Sequence, residues 1–255
     1  LGQRQMRLAT GIRINAAEDD SAGFAIAKKL EAKTRGQAQA LANIGDAKGM
    51  LTVGEGALNT VMSILQTMKE KTIQAANDTM GDDERTQIQN QLVALRSEVT
   101  DILNDAEFNG NQLFNPSSST SFNFQVNAGP NGTNVFNVSI ATISASEIGA
   151  ADLTTLNVTG TAASRQSAIA TIDSAIQGIA DMLANFGDNQ MRLTFKQENL
   201  NTSMVNYESA KSRILDADFA KEQMNIVKLQ ILQQTGVATL AQANNGPQGV
   251  LQLLQ

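Results

Sequence analysis

Two stretches far apart in this chain carry the same long apolar rhythm, and that rhythm constrains the fold more than any other feature. From Ile44 the apolar positions run Ile44, Ala47, Leu51, Gly54, Leu58, Val61, Leu65 and Met68, and near the other end they run Ile169, Ile172, Ile176, Ile179, Leu183 and Phe186. Both follow the alternating three-and-four spacing that lays a continuous stripe along an α-helix. A helix that long cannot bury its stripe on itself, so the two arms are expected to pack together and carry the middle of the chain as an outward excursion. The fold class this predicts is mainly α: a long antiparallel helical bundle or coiled coil drawn from both chain ends, with a small β-hairpin region in the middle.

Composition removes most chemistry. The 255 residues contain no His and no Cys, so the commonest general base, the thiol nucleophile and the usual zinc and copper ligands are all missing. A formal net charge of -6 and a pI near 4.8 argue against nucleic acid as a partner, because phosphate neutralisation needs a basic face. No run approaches the roughly 20 apolar residues of a membrane-spanning helix, so no membrane insertion is expected, and the first residues do not resemble a signal peptide. Aromatic residues are only 4% of the chain, with no Trp and one Tyr, Tyr207. The core must therefore be Leu, Ile, Val, Met and Ala, which favours helix-on-helix packing.

The elements separate by pattern. Residues 1 to about 10 read as the tail of a helix stopped near Gly11, followed by a polar connector to Gly23 that holds Asn15, Glu18, Asp19 and Asp20. A long helix is expected over about Ala22 to Asn77, with its stripe running through Gly54 by close approach to a neighbouring helix. Another is expected over Asp82 to Asn104, with Asp82, Asp83 and Glu84 in its first turn. Phe108-Asn109-Gly110 marks a sharp turn. In the polar middle, Phe122, Phe124 and Val126 alternate, as do Phe136, Val138 and Ile140, with Gly129-Pro130-Asn131-Gly132 between them, which predicts a β-hairpin. The C-terminal arm runs from Ala162 to about Lys211. A last helix from about Asp216 carries Ala217, Ala220, Met224, Val227 and Ile231 at helical spacing, and the uncharged terminus should order only when a partner covers it. Asp19 and Asp20 are read as solvated or paired with Arg13, not as a catalytic pair.

Leu8-Ala9-Thr10-Gly11-Ile12-Arg13-Ile14-Asn15, followed by Ala17-Glu18-Asp19-Asp20-Ser21-Ala22-Gly23-Phe24-Ala25-Ile26-Ala27, closely resembles the N-terminal signature of bacterial flagellins. Further matches come in that family's order: Gly56-Ala57-Leu58, Phe108-Asn109-Gly110, Asp216-Ala217-Asp218-Phe219-Ala220, and Ile231-Leu232-Gln233-Gln234 leading to Val250-Leu251-Gln252-Leu253-Leu254. The set covers both arms and leaves only the middle unmatched.

The resemblance implies a minimal flagellin without outer domains, N-terminally truncated or processed. It implies an inner coiled-coil domain from residues 1–15 with 215–255, and a helical rod from 16–214 that includes a short polar hairpin region, 111–160. It also implies a structural, non-enzymatic subunit of the extracellular flagellar filament, exported without a cleavable signal. The implied partners are other flagellin subunits, an export chaperone, junction proteins and a filament cap. Core assembly is assigned to Leu8, Ile12 and Ile14 at one end, and to Met224, Val227, Ile231, Leu251, Leu253 and Leu254 at the other; catalytic, cofactor and metal residues are assigned none. At three positions where receptor-activating flagellins carry Arg, Leu and Glu, this chain has Thr67, Lys71 and Gln91. Loss of that guanidinium fork predicts weak or no activation of the flagellin-sensing Toll-like receptor. Two alternatives stand beside this reading, a hook-filament junction protein and a flagellin-like surface binding module. The first usually places Pro after its Asp-Asp, where this chain has Ser21, and the second needs an aromatic-lined groove.

Overall fold

The computed structural model describes residues 2–115, 119–129, 134–143, 148 and 151–253, with side chains up to residue 243. Among the described residues five α-helices carry the chain: α1 (Gly2–Thr10), α2 (Ser21–Ala76), α3 (Asp82–Asp105), α4 (Ala162–Leu215) and α5 (Phe219–Leu253). Between α3 and α4 the described residues form strands β1 (Glu107–Phe108), β2 (Asn111–Gln112), β3 (Thr120–Gln125) and β4 (Val135–Ile140), and a 3₁₀ turn at Leu153–Thr155. Two compact units result, Leu1–Gly36 with Thr202–Gln255, and Gln37–Asn201.

The larger unit holds the main core. Every expected stripe position on α2 is buried, Gly54 included, and the same three-four row continues through Thr72 and Ala75. Side chains of α2 meet α4 in antiparallel order: Lys48 Nζ donates to Gln197 Oε1 at 2.9 Å, Gln190 Nε2 donates to Glu55 Oε2 at 2.9 Å, and Lys69 pairs with Asp173 at 2.6 Å. The stripe of α4 is displaced from the one expected. Ala168, Ile172, Ala175, Ile179, Phe186, Leu193 and Leu200 face inward, whereas Ile169, Ile176 and Leu183 lie at the half-buried edges. The inward row includes two alanines, Ala168 and Ala175; a reading weighted by apolar size selects their larger neighbours.

Gly54 is a true close approach. A Cβ built on it would lie 2.5 Å from Phe186 Cε2, and the Phe186 ring stacks on Phe114 with centroids 6.3 Å apart. The Asn109-Gly110 turn closes a two-residue hairpin, β1 to β2, with φ of +52° and +75°. Those signs belong to the turn whose twist matches paired strands. The larger hairpin forms as expected, with Phe122 opposite Val138 and Phe124 opposite Phe136. Phe136, Val138 and Ile140 are buried, while Asn123 and Asn137 join amides on the outer face at 2.8 Å. The turn at Pro130, Asn131 and Gly132 lies outside the described residues. Arg192 and Lys196 of α4 both stand over the Phe136 ring, at 4.8 and 5.9 Å.

In the smaller unit Gly11, at φ +69°, ends α1 as expected. The last helix starts three residues later than its pattern suggests. Asp216 and Ile12 form an antiparallel bridge, and the N–H of Ala217 donates to the Gly11 carbonyl at 2.9 Å, so these residues are held extended. The helix then begins under an Asp218 cap, whose Oδ1 accepts from the Lys221 N–H at 3.1 Å.

Candidate assembly surface

The connector between α1 and α2 is organised by its two aspartates. Asp20 caps α2 by accepting from the Gly23 N–H at 2.9 Å. Asp19 accepts from the backbone N–H groups of Asn15 and Ala16, at 2.9 and 3.2 Å, and from the Gln3 amide, and it pairs with Arg7 at 3.3 Å. Those donors, the Asn15 N–H above all, hold its carboxyl below the usual range. Arg13 is not the partner that the sequence suggested; its guanidinium donates to the Ile214 carbonyl at 2.7 Å. Three further residues, unremarked in the sequence, complete the arrangement. Arg4 forks onto both oxygens of Glu222 at 2.8 and 2.9 Å, and Arg7 stands 4.0 Å from the same carboxylate, which is almost wholly buried. The only advance sign was two basic residues three apart on α1, which places them on one face.

This ion cluster fixes the rotation of α5. Glu222 and Ile226 are the buried ones among its described side chains, on the side where α1 packs against it. The row assigned to assembly consequently faces solvent: Met224 is 66% exposed, Val227 44% and Ile231 54%, and Leu232 lies beside them at 55%. From Val227 to Ala243 no side chain is buried, and after Lys228 the sequence has no charge at all. An isolated soluble chain rarely leaves so long an apolar helix uncovered.

The N-terminal assembly residues are placed differently. Leu8 and Ile12 are half-buried, but Ile14 is 3% exposed, and its Cδ1 lies where a side chain on Gly23 would stand. Ile14 therefore braces the connector and does not line an outer surface. Leu251 and Leu253 belong to α5 by backbone alone, and Leu254 lies outside the described residues. In the larger unit Thr67 and Gln91 are exposed on α2 and α3, and Lys71 is half-buried. Among the described residues no cluster could hold a metal ion, and no helix is long and apolar enough to cross a membrane.

Known families account for both arms. The N-terminal helical region of bacterial flagellin matches residues 1–119, and its C-terminal helical region matches residues 169–254. A flagellin of Halalkalibacterium halodurans is 36% identical over 255 residues, spanning 100% of this chain and 92% of that protein. The chain belongs to the flagellin family. A flagellin of Bacillus subtilis is 34% identical over 279 residues, with 98% and 91% covered. Among solved structures, Bacillus cereus flagellin superposes with a TM-score of 0.51 at 24% identity, covering 62% of this chain and 88% of that one. A protein of Vibrio parahaemolyticus described as a putative flagellar hook-associated protein gives 0.66 at 16% identity, covering 78% and 100%. At those identities the two structures speak for the shared fold alone.

Proposed function

We propose that the exposed row of α5, Met224, Val227 and Ile231 with Leu232 beside it, is a face by which this flagellin docks onto other copies of itself. The chain is a structural subunit of the bacterial flagellar filament, an extracellular polymer of flagellin. The observation that supports the α5 assignment is the continuous apolar helix that the chain's own smaller unit leaves uncovered. Complete burial of such side chains contributes about 1.5–3 kcal/mol each, enough in series to offset the ordering of a helix end. A contact between different faces of successive copies grows a helical filament where the repeated rotation does not close into a ring. Leu251, Leu253 and Leu254 extend the same apolar end in sequence. Leu8 and Ile12 contribute their exposed edges, and Ile14 acts from inside by holding the connector.

Seeded growth followed by electron microscopy tests the assignment. Val227→Asp and Ile231→Asp should slow elongation from filament fragments by tenfold or more while leaving helix content unchanged, since both side chains face water in the free chain. Growth at the wild-type rate would sink it. Export without a cleavable signal, with a chaperone, junction proteins and a cap as transient partners, is the route that fits a subunit of this family. Thr67, Lys71 and Gln91 replace a guanidinium, an apolar contact and a carboxylate, so this flagellin activates the flagellin-sensing Toll-like receptor weakly. A reporter dose-response equal to that of an activating flagellin would refute this.

A further inference from the structure

All the sulfur in this chain is methionine: nine residues, with no Cys to compete for an oxidant. Met62, Met80, Met182 and Met204 are half-buried, and the other five lie at the extremes. Met50 and Met68 lie in the core of the larger unit at 1% and 0% exposure, whereas Met6, Met191 and Met224 are each more than half exposed. Of the three, Met224 alone stands in the uncovered α5 row, flanked one and two turns on by Val227, Lys228, Ile231 and Leu232. We propose that Met224 is an oxidation site that gates assembly: its sulfoxide blocks addition of a free subunit, and a subunit already docked is protected. The inference rests on the assembly reading of α5.

The chemistry requires only a peroxide. A sulfur lone pair of Met224 attacks the terminal oxygen of hydrogen peroxide, the S–O bond forms as the O–O bond breaks, and the departing hydroxide takes the proton from the transferred oxygen to leave as water. Sulfur is oxidised by two electrons and the peroxide is reduced. The product turns a flexible apolar side chain into a polar one with a strong acceptor oxygen. In the free chain that oxygen is solvated, because Met224 faces water, so folding is not penalised. On docking it must be desolvated beside Val227, Ile231 and Leu232, which carry no donor, and a bond from the neighbouring Lys228 would require burying that ammonium as well. Docking in turn removes the thioether from contact with the oxidant. The modification is reversible by methionine sulfoxide reductases, and a thiol reductant has no disulfide in this chain to disturb.

The test treats free protein with hydrogen peroxide, maps sulfoxides by peptide mass spectrometry, and measures elongation from sheared filament fragments. Met6, Met191 and Met224 should gain about 16 Da before Met50 and Met68. Elongation of the wild-type chain should fall about tenfold or more, and should recover after reductase treatment. Whatever its untreated rate, Met224→Leu should elongate equally fast before and after peroxide, whereas Met6→Leu and Met191→Leu should remain sensitive. Undiminished growth of a chain oxidised at Met224, or equal sensitivity of Met224→Leu, overturns the inference while leaving the α5 reading intact. If unoxidised protein fails to extend the fragments, or Val227→Asp extends them normally, the α5 reading falls and takes the inference with it.

Discussion

At the scale of single residues, two glycines two positions apart have opposite consequences. Gly54 lies under Phe186, with Leu113 Cδ1 a further 3.5 Å neighbour of the missing Cβ, whereas Gly56 has open space. Gly54→Ala should therefore destabilise the larger unit by about 1–3 kcal/mol through forced movement of the Phe186 ring. Gly56→Ala should stabilise it by up to about 1 kcal/mol, because a helix interior favours Ala over Gly. Thermal denaturation of the two variants checks both signs, and Phe186→Leu should relieve the first. Asp19 supplies a pH dependence. Its carboxyl is held below its ordinary value in the folded chain, so the stabilisation is present above the unfolded value, about pH 4, and is lost as pH falls through the folded one. Thermal midpoints should be level from pH 7 to about 5 and then decline; Asp19→Ala should start lower and decline less.

At the scale of elements, α1 and α5 depend on each other. A nine-residue helix is marginal alone, and α1 is held by the Arg4 and Arg7 contacts to Glu222 and Asp19. Glu222→Ala should free α1 from α5, raising amide hydrogen exchange over residues 2–10 at least tenfold while exchange in α3 stays unchanged. Asp218→Ala should cost about 1 kcal/mol by removing the α5 cap, seen as faster exchange in the first turn of that helix. The stripe on α2 was legible from Ile44 to Met68 because its inward positions there are apolar residues and one glycine. On α4 the inward row includes Ala168 and Ala175, and apolar size in the sequence points instead to their larger neighbours Ile169 and Ile176. The late start of α5 was hidden for another reason: Asp216 is drawn into pairing with Ile12, some 200 residues away.

For the whole molecule, buried apolar residues are unevenly shared. The main core cluster lies between Ala40 and Leu200, while the smaller unit buries chiefly Ile14, Ala27 and Ile226. Stability follows buried apolar area, so the smaller unit should open first. Limited proteolysis of the free protein should trim both ends and leave a resistant fragment close to residues 37–201, identified by mass spectrometry. Equal cleavage throughout the chain would contradict this. On the proposed docking of the α5 row, the same ends should become resistant in the filament.

The sequence by itself determined the helical class, the two arms and the hairpin, because three-four and two-residue periods are local signals written in side-chain polarity. It also carried the family, through ordered motifs that include the connector. What only the tertiary structure decided was orientation. Rotation of α5 is set by a buried carboxylate, Glu222, meeting Arg4 and Arg7 from the opposite end of the chain, and nothing in a helical period says which of two faces turns outward. That meeting puts Ile226 inside and leaves Met224, Val227 and Ile231 in water. A long-range ion pair, not the apolar pattern, turns the stripe into a surface.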